Sequence, residues 1–151
     1  MENYKNPISL FKQTNFSKTI WWKLKVNISG YQNETEDKLV TEIFKNRIFR
    51  LIYPNIYQNN HKFSRILIQL YEDGYICWIS LDGLVIDKCE LKRIENSKNE
   101  HSFIKEKVPS LLKWIKDQAE LNNEYLWGGT LGPNFDCSGL IQTAFLKHHI
   151  H

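Results

Sequence analysis

The chain of 151 residues is long enough for one ordinary domain or two small ones, since a domain usually takes about 100 to 150 residues. Its composition of 42% hydrophobic, 13% aromatic and 25% charged residues excludes a disordered chain and indicates a buried core. The net charge of +3 is too small for strong sequence-independent binding to phosphate groups, so no nucleic-acid partner is expected.

Neither a membrane segment nor a secretory signal is expected. No apolar run approaches the roughly 18 residues that span a bilayer, and the N-terminal residues are polar. The expected location is therefore the cytoplasm. The three cysteines, Cys77, Cys89 and Cys137, have no metal-ligand spacing and are expected to be free thiols, and no metal or other cofactor is expected.

The first two-thirds of the chain has the pattern of short strands separated by turns. Apolar and polar residues alternate from Ile20 to Ile28, the period that buries one face of a strand. Val40 to Ile52 predicts a second, bent strand that ends at Tyr53-Pro54-Asn55, because proline cannot continue a ladder. Glu72-Asp73-Gly74 then predicts a tight hairpin, and Leu84 to Leu91 a last strand. So many short strands predict a small SH3-like barrel.

The pattern changes to that of helices in the last third of the chain. Glu95 to Glu100 contains no apolar residue and is typical of a linker. From Ser102 onward apolar residues recur at steps of three and four. Pro109 is expected to end a short helix, and a longer helix is expected to run to Asn122-Asn123, which can cap it.

The segment from Tyr125 to Leu140 carries the chemistry. Its glycines and Pro133 indicate a tight loop, Asp136 is a good helix cap, and Cys137 is expected to open a helix. At that position the helix dipole and unpaired backbone amides favour the thiolate, the form that attacks carbonyl carbon. The alternative is a buried structural cysteine, which is the expectation for the other two thiols.

This segment resembles the nucleophile motif of the NlpC/p60 cysteine endopeptidases, which cleave bacterial cell-wall peptides. The matched elements are Tyr125, Trp127-Gly128-Gly129, Pro133 and Phe135 to Leu140, in the order and spacing of the family. The helix with Pro109 and a small β domain containing Cys77 to Leu81 also resemble the cyanobacterial-type members. The match is good from roughly Val108 to Phe145 and holds only in outline over the first 95 residues. The resemblance implies an α+β fold, with an SH3-like β-barrel in residues 1–95 and the helical N-terminal part of a papain-like domain in residues 96–151.

The resemblance also implies the reaction and its residues. The substrate would be a muropeptide with a free N-terminal L-alanine, cut between γ-D-glutamate and a diamino acid. Cys137 would be the nucleophile, Tyr125 would help to form the oxyanion site, and Asp136 and Ser138 would line the subsite for the amino terminus. The structural alternative for Tyr125 is a packing aromatic. Asp136 as a helix cap and Ser138 as a first-turn hydroxyl are structural roles that can hold together with the functional ones.

The histidine base of such a peptidase is not apparent in the sequence, since the family supplies it beyond the nucleophile helix. His148, His149 and His151 follow Cys137 by roughly 11 to 14 residues, or about 16 to 21 Å along a helix, and are expected to be too distant. His61 and His101 are expected to be solvated.

The chain is therefore expected to hold only half of the catalytic equipment and to be inactive by itself. It would be a gene fragment, a truncated product or a protein with a degraded catalytic half. The apolar face of the nucleophile helix is expected to lack its cover; that face consists of Leu140, Ile141, Ala144 and Phe145. The alternative function is a non-catalytic SH3-like module that binds a muropeptide or a protein. The oligomeric state stays open.

Overall fold

The computed structural model describes residues 20–52, 64–91 and 101–150. The chain divides into two compact units, Met1–Leu91 and Lys92–His151, which are called here the β unit and the helical unit. The predicted α+β class is confirmed by the strands of the first unit and the helices of the second. No helix within the described residues is long and apolar enough to cross a membrane.

The described part of the β unit forms one antiparallel sheet of seven strands. Their order across the sheet is β3-β2-β6-β5-β4-β1-β7. The strands are β1 (Trp21–Leu24), β2 (Ile28–Tyr31), β3 (Leu39–Ile43), β4 (Ile48–Leu51), β5 (Arg65–Leu70), β6 (Ile76–Ser80) and β7 (Ile86–Cys89).

The core of the β unit follows from the alternation of side chains along these strands. Every second residue is buried, as with Ile66, Ile68 and Leu70 on β5. Ile43 near one edge of the sheet and Ile86 near the other are also buried and belong to the same cluster. The sheet therefore curves around its own apolar face.

Closure of this sheet into an SH3-like barrel is not confirmed. In the described residues the edge strands β3 and β7 each pair with one neighbour only and not with each other, whereas a closed barrel gives every strand two neighbours. Asp87 and Lys88 on β7 are exposed, and charged side chains on an edge strand discourage further pairing.

The two longest predicted strands are each divided. The prediction of one strand over Ile20 to Ile28 was wrong at Lys25 to Asn27, where the chain bends and the Asn27 Oδ1 atom accepts a hydrogen bond from the Lys45 amide at 2.8 Å. Val40 to Ile52 is likewise two strands, separated by a turn in which Asn46 has φ 75°. At each break the strand partners change: β1 pairs with β4 and β7 but β2 with β3 and β6, and β3 pairs with β2 but β4 with β1 and β5.

The predicted hairpin between β5 and β6 is confirmed. Gly74 has φ 69°, and the Asp73 Oδ1 atom accepts a hydrogen bond from the Tyr75 amide at 3.0 Å. The buried Arg47 guanidinium contacts Glu72 at 3.2 Å and Asp73 at 2.7 Å, which ties this turn to the start of β4. The predicted proline stop at Tyr53-Pro54-Asn55 and the linker at Glu95 to Glu100 lie outside the described residues.

The described helices are α1 (His101–Ala119) and α2 (Cys137–Lys147). The predicted break at Pro109 was wrong, because Pro109 lies inside a continuous α1. A proline inside a helix removes one backbone hydrogen bond. Ile104 and Leu111, on either side of Pro109, both belong to the apolar cluster that α1 shares with α2. α1 ends at Ala119, so the predicted end at Asn122-Asn123 was wrong by about one turn. The Asn123 side chain still caps this end, because its Nδ2 atom donates to the Gln118 carbonyl at 3.0 Å.

α1 covers part of α2, so the expectation of an uncovered nucleophile helix was wrong for Ala144, which is fully buried with Leu111 and Ile150. Ile150 reaches this cluster because the left-handed His149 turns the chain back and lets the Ile150 amide donate to the Phe145 carbonyl at 3.1 Å. The outer flank of α2 fits the expectation. Its Ile141 and Phe145 side chains are 46% and 38% exposed.

Candidate active site

The loop before α2 is held in shape by its own backbone. The Leu126 amide donates to the Phe135 carbonyl at 3.2 Å, and the Gly129 amide donates to the Leu126 carbonyl at 2.9 Å. The Asp136 amide then donates to the Gly129 carbonyl at 3.2 Å. Gly128 supplies the positive φ of 75° that this course requires. These hydrogen bonds therefore fix the course of the backbone up to Asp136, at the start of α2.

α2 lies directly against this loop because Gly139 has no side chain. A Cβ atom on Gly139 would lie 1.9 Å from the carbonyl oxygen of Gly129, far inside van der Waals contact. One turn further along the helix, the buried Thr143 hydroxyl donates to the Thr130 carbonyl. These contacts fix the first turn of α2, and with it Cys137, relative to the glycine loop.

Asp136 is the N-cap of α2, as predicted, and its carboxylate joins the loop to the helix. It accepts hydrogen bonds from the Gly139 amide at 2.6 Å, the Ser138 hydroxyl at 2.8 Å and the Gly128 amide at 2.8 Å. Burial acts to raise the pKa of Asp136, but the hydrogen bonds from Gly139, Ser138 and Gly128 outweigh it, and the pKa is lowered. The carboxylate is therefore ionised at neutral pH.

Cys137 is the first residue of α2 and is exposed to solvent as a free thiol. The positive end of the helix dipole is a position at which negative charge is stabilised. Cys77 is also a free thiol, but it is buried in the β core. Burial raises the pKa of Cys77 to about 12, against the opposing charge of Arg47. Cys89, on the edge strand β7, is half-buried.

A cleft of about 330 Å³ lies beside Cys137, within the size range of small-ligand sites. Three of the four predicted site residues line it: Cys137, Asp136 and Tyr125. Ser138 is not in the lining, but its hydroxyl donates a hydrogen bond to Asp136, which is. The full lining is Gln118, Ala119, Leu121, Asn123, Glu124, Tyr125, Phe135, Asp136, Cys137 and Leu140.

Tyr125 forms one wall of this cleft and is 66% exposed. A parallel β-bridge joins Tyr125 to Phe135, two residues before Cys137. The Phe135 ring packs edge-on against Trp114 of α1 at 6.1 Å between centroids. The backbone that carries the Tyr125 phenol is thus paired with the backbone just before Cys137.

Sequence reasoning missed the rest of the lining. Gln118 and Ala119 reach the cleft from the last turn of α1, and only the packing of α1 against α2 brings them there. Glu124 precedes Tyr125 directly in the sequence, so proximity to a predicted site residue was a usable signal. Its amide donates to the Asn134 Oδ1 atom at 3.0 Å, which fixes its backbone at the cleft.

Among the described residues, no histidine lines the cleft. The His148 Nδ1 atom lies 2.7 Å from the Ala144 carbonyl of the same helix. His149 and His101 are exposed, and His61 and His151 lie outside the described residues. The described residues also contain no group of three or more histidine, cysteine, aspartate or glutamate side chains that could hold a metal ion.

Comparison with known families finds a match to the NlpC/P60 family over residues 122–151. No curated protein matches the chain. The matched residues include the glycine loop, Asp136, Cys137, Ser138 and all of α2, while the β unit lies outside them. The segment that carries the exposed thiol and most of the cleft is thus similar to a family that includes cell-wall cysteine peptidases.

Proposed function

We propose that the helical unit is the nucleophile-bearing part of a cysteine endopeptidase that acts on cell-wall peptides. The bond cut is the amide between γ-D-glutamate and a diamino acid, in a peptide that begins with a free L-alanine. The observation that carries this proposal is the exposed Cys137 thiol at the first residue of α2, beside a cleft and inside the matched segment.

In this proposal the Cys137 sulfur attacks the γ-glutamyl carbonyl carbon. A carbon–sulfur bond forms, and the carbonyl oxygen takes up negative charge, toward which the Tyr125 phenol donates a hydrogen bond. The carbon–nitrogen bond then breaks, and the diamino acid leaves as an amine whose nitrogen has taken up the proton that the thiol lost. Water hydrolyses the resulting thioester, which releases the γ-D-glutamyl peptide and restores the thiol. Asp136 supports this chemistry by holding the first turn of α2 in position.

A proton acceptor has to come within about 2.6–3.2 Å of the thiol, directly or through one water. Because no described histidine lines the cleft, a second candidate function is a module that binds the same peptide without cutting it. In that function the cleft, including Tyr125, binds the muropeptide, and Cys137 takes no part in a reaction. The two functions differ in whether the thiol reacts with a bound acyl group.

For the β unit we propose an SH3-like binding module. Its short antiparallel strands around one apolar core support this assignment. The free state of the three described cysteines is consistent with a reducing compartment, and on that ground we propose a cytoplasmic location. The substrate would then be a recycled or incoming cell-wall peptide and not the intact wall.

The test uses L-Ala-γ-D-Glu in which a chloromethyl ketone replaces the scissile amide. The peptidase proposal predicts that this reagent alkylates Cys137 and leaves Cys89 unmodified, as read by peptide mass spectrometry. An excess of the unreactive parent peptide should slow the labelling. The matched control is a chloromethyl ketone on an unrelated dipeptide, which should label Cys137 slowly.

Three outcomes of that experiment separate the alternatives. Rapid, competable labelling of Cys137 supports a nucleophile beside a peptide site. Saturable binding of the parent peptide without labelling of Cys137 favours the binding module. Labelling that is equally fast with the unrelated reagent, and is unaffected by the parent peptide, contradicts both functions.

A further inference from the structure

One stripe on the outer flank of α2 carries the Cys137 thiol at one end and a histidine at the other. Cys137, Ile141, Phe145 and His148 follow one another at steps of four, four and three residues, the spacing of a single helix face. Cys137, Ile141 and Phe145 are exposed, and His148, the C-cap of α2, is half-buried. The thiol and the imidazole are therefore separated by an exposed apolar pair.

His148 is held in a form that can accept a proton. Its Nδ1 atom lies 2.7 Å from the Ala144 carbonyl oxygen, and a carbonyl oxygen can only accept a hydrogen bond. Nδ1 is thus the protonated nitrogen of the neutral ring, which leaves Nε2 as the acceptor. A ring that a third group orients in this way is what the base of a cysteine nucleophile requires.

His148 is too distant to serve the thiol of its own chain. Eleven residues separate it from Cys137, which is about 16 Å along the helix axis. A proton acceptor must come within about 3 Å of the thiol or act through one water, and no histidine of the described residues lines the cleft. A second copy of the chain supplies such an acceptor if the two stripes meet.

The stripe is complementary to a second copy of itself in antiparallel orientation. The midpoint of the apolar pair falls at Thr143, with Cys137 six residues before it and His148 five residues after it. Two helices that pair about this midpoint place Ile141 level with Phe145 of the second copy. The same pairing places Cys137 within about 1.5 Å, along the axis, of His148 of the second copy. Helix axes pack about 8–10 Å apart, a gap that a facing thiol and imidazole can bridge.

Electrostatics favours the same antiparallel arrangement. It sets the N-terminal end of one helix, where a thiolate is stabilised, beside the C-terminal end of the other, where a cation is stabilised. A Cys137 thiolate and an imidazolium at His148 of the second copy are thus opposite charges on helix ends of opposite polarity. The stripe carries no other charged side chain, so no like charges oppose the pairing.

We infer that two copies of this chain pair through the α2 stripe, and that His148 of each copy is the proton acceptor for Cys137 of the other. Nε2 takes the Cys137 proton as the carbon–sulfur bond forms, and gives it to the leaving nitrogen as the carbon–nitrogen bond breaks. This inference rests on the proposed function, because it requires Cys137 to be a nucleophile. Two large apolar side chains per copy form a small interface, so the pairing is weak and depends on chain concentration.

The test measures the rate at which the chloromethyl ketone of L-Ala-γ-D-Glu alkylates Cys137 in the full chain. As the chain concentration rises, the rate constant per chain should rise about tenfold to a plateau, because an unassisted thiol is only a few per cent ionised at neutral pH. Ile141→Glu and His148→Gln should each abolish this rise. Leu112→Glu and His149→Gln, the same changes at exposed residues outside the stripe, should retain it.

Mixing two variants separates a shared site from pairing alone. His148→Gln keeps the thiol but lacks the acceptor, and Cys137→Ala keeps the acceptor but lacks the thiol. An excess of Cys137→Ala should restore the labelling of the His148→Gln chain to the plateau rate of the unsubstituted chain. The double variant Cys137→Ala/His148→Gln should restore nothing, because it pairs without supplying the imidazole.

Three results would each overturn the inference while the proposed function stands. They are rapid, competable labelling at a rate that does not depend on chain concentration, a rise that survives Ile141→Glu, and failure of excess Cys137→Ala to restore labelling. If the reagent labels Cys137 no faster than the unrelated chloromethyl ketone does, and the parent peptide has no effect, the proposed function is contradicted and the inference falls with it.

Discussion

The two units of this chain are held together in different ways. In the described residues the β unit buries thirteen apolar side chains in one cluster, whereas the helical unit buries three. The helical unit also exposes several large apolar side chains, namely Val108, Leu112, Leu121, Leu126, Trp127, Ile141 and Phe145. The shape of its cleft therefore depends on close backbone contact and on one helix cap more than on apolar burial.

The cysteines show what this difference means for chemistry. Cys77 lies in the larger core, where burial raises its pKa to about 12 and keeps the thiol protonated. Cys137 lies in the unit with the smaller core, at the exposed start of α2. A reactive group needs access to its substrate, so the less buried unit is the one in which a nucleophile can work.

The largest expected effect of a substitution is in the β core. Phe49→Ala should lower the free energy of unfolding of the β unit by about 3–5 kcal/mol, because it leaves a cavity at a fully buried site. Ile141→Ala, on the exposed flank of α2, should change stability by less than about 0.5 kcal/mol. Urea unfolding followed by circular dichroism measures both. A similar loss of unfolding free energy in Phe49→Ala and Ile141→Ala would show that the greater burial of Phe49 does not make it more important for stability.

The second prediction concerns the contact between α2 and the glycine loop. Gly139→Ala should destabilise α2 by about 1–3 kcal/mol, because the added Cβ would collide with the Gly129 carbonyl. At an unobstructed helix position the same change stabilises by about 1 kcal/mol, so the sign of the effect is diagnostic. Amide hydrogen exchange across Cys137–Lys147 gives the measurement. Increased protection in the variant would show that the loop is not in close contact.

A smaller effect is expected at the helix cap. Asp136→Ala should weaken α2 by about 0.5–2 kcal/mol at neutral pH, since it removes the cap of the first turn. The lowered pKa of Asp136 fixes the sign of its pH dependence: its stabilisation is present above the ordinary aspartate pKa of about 3.9 and is lost as pH falls through the lowered value.

Asp136→Asn is the matched variant for this pH effect, because asparagine also caps helices but does not titrate in this range. Hydrogen exchange of α2 measured between pH 3 and pH 6 should depend on pH more strongly in the unsubstituted chain than in Asp136→Asn, after correction for intrinsic exchange. Equal dependence in the two proteins would mean that the Asp136 carboxylate does not stabilise the helix through its charge.

Sequence reasoning succeeded where the signal was local. The Asp-Gly pair at Asp73-Gly74 predicted a hairpin, and Asp136 predicted the start of α2 at the following residue, because turns and caps depend on a few adjacent residues. It failed where strand pairing or helix packing decides the outcome. The bend at Lys25 to Asn27 and the continuation of α1 through Pro109 both depend on partners distant in sequence.

The same division applies to the candidate site. Tyr125, Asp136 and Cys137 lie in one short segment, so a sequence motif is sufficient to group them. Two further lining residues, Gln118 and Ala119, come from the end of α1, and no periodicity could have assigned them to the cleft. That the described edge strands β3 and β7 do not pair with each other was beyond prediction for a similar reason, because such pairing joins strands far apart in the chain.

The most direct test of the account is the rate at which iodoacetamide alkylates each thiol at neutral pH, resolved by peptide mass spectrometry in folded and urea-unfolded chains. The account predicts that in the folded chain Cys137 reacts much faster than Cys77, because Cys137 is exposed at the first residue of α2 whereas Cys77 is buried in the β core. Unfolding in urea should increase the rate at Cys77, because burial protects that thiol and raises its pKa in the folded chain. A folded chain in which Cys137 reacts as slowly as Cys77 would contradict the assignment of Cys137 as an accessible nucleophile.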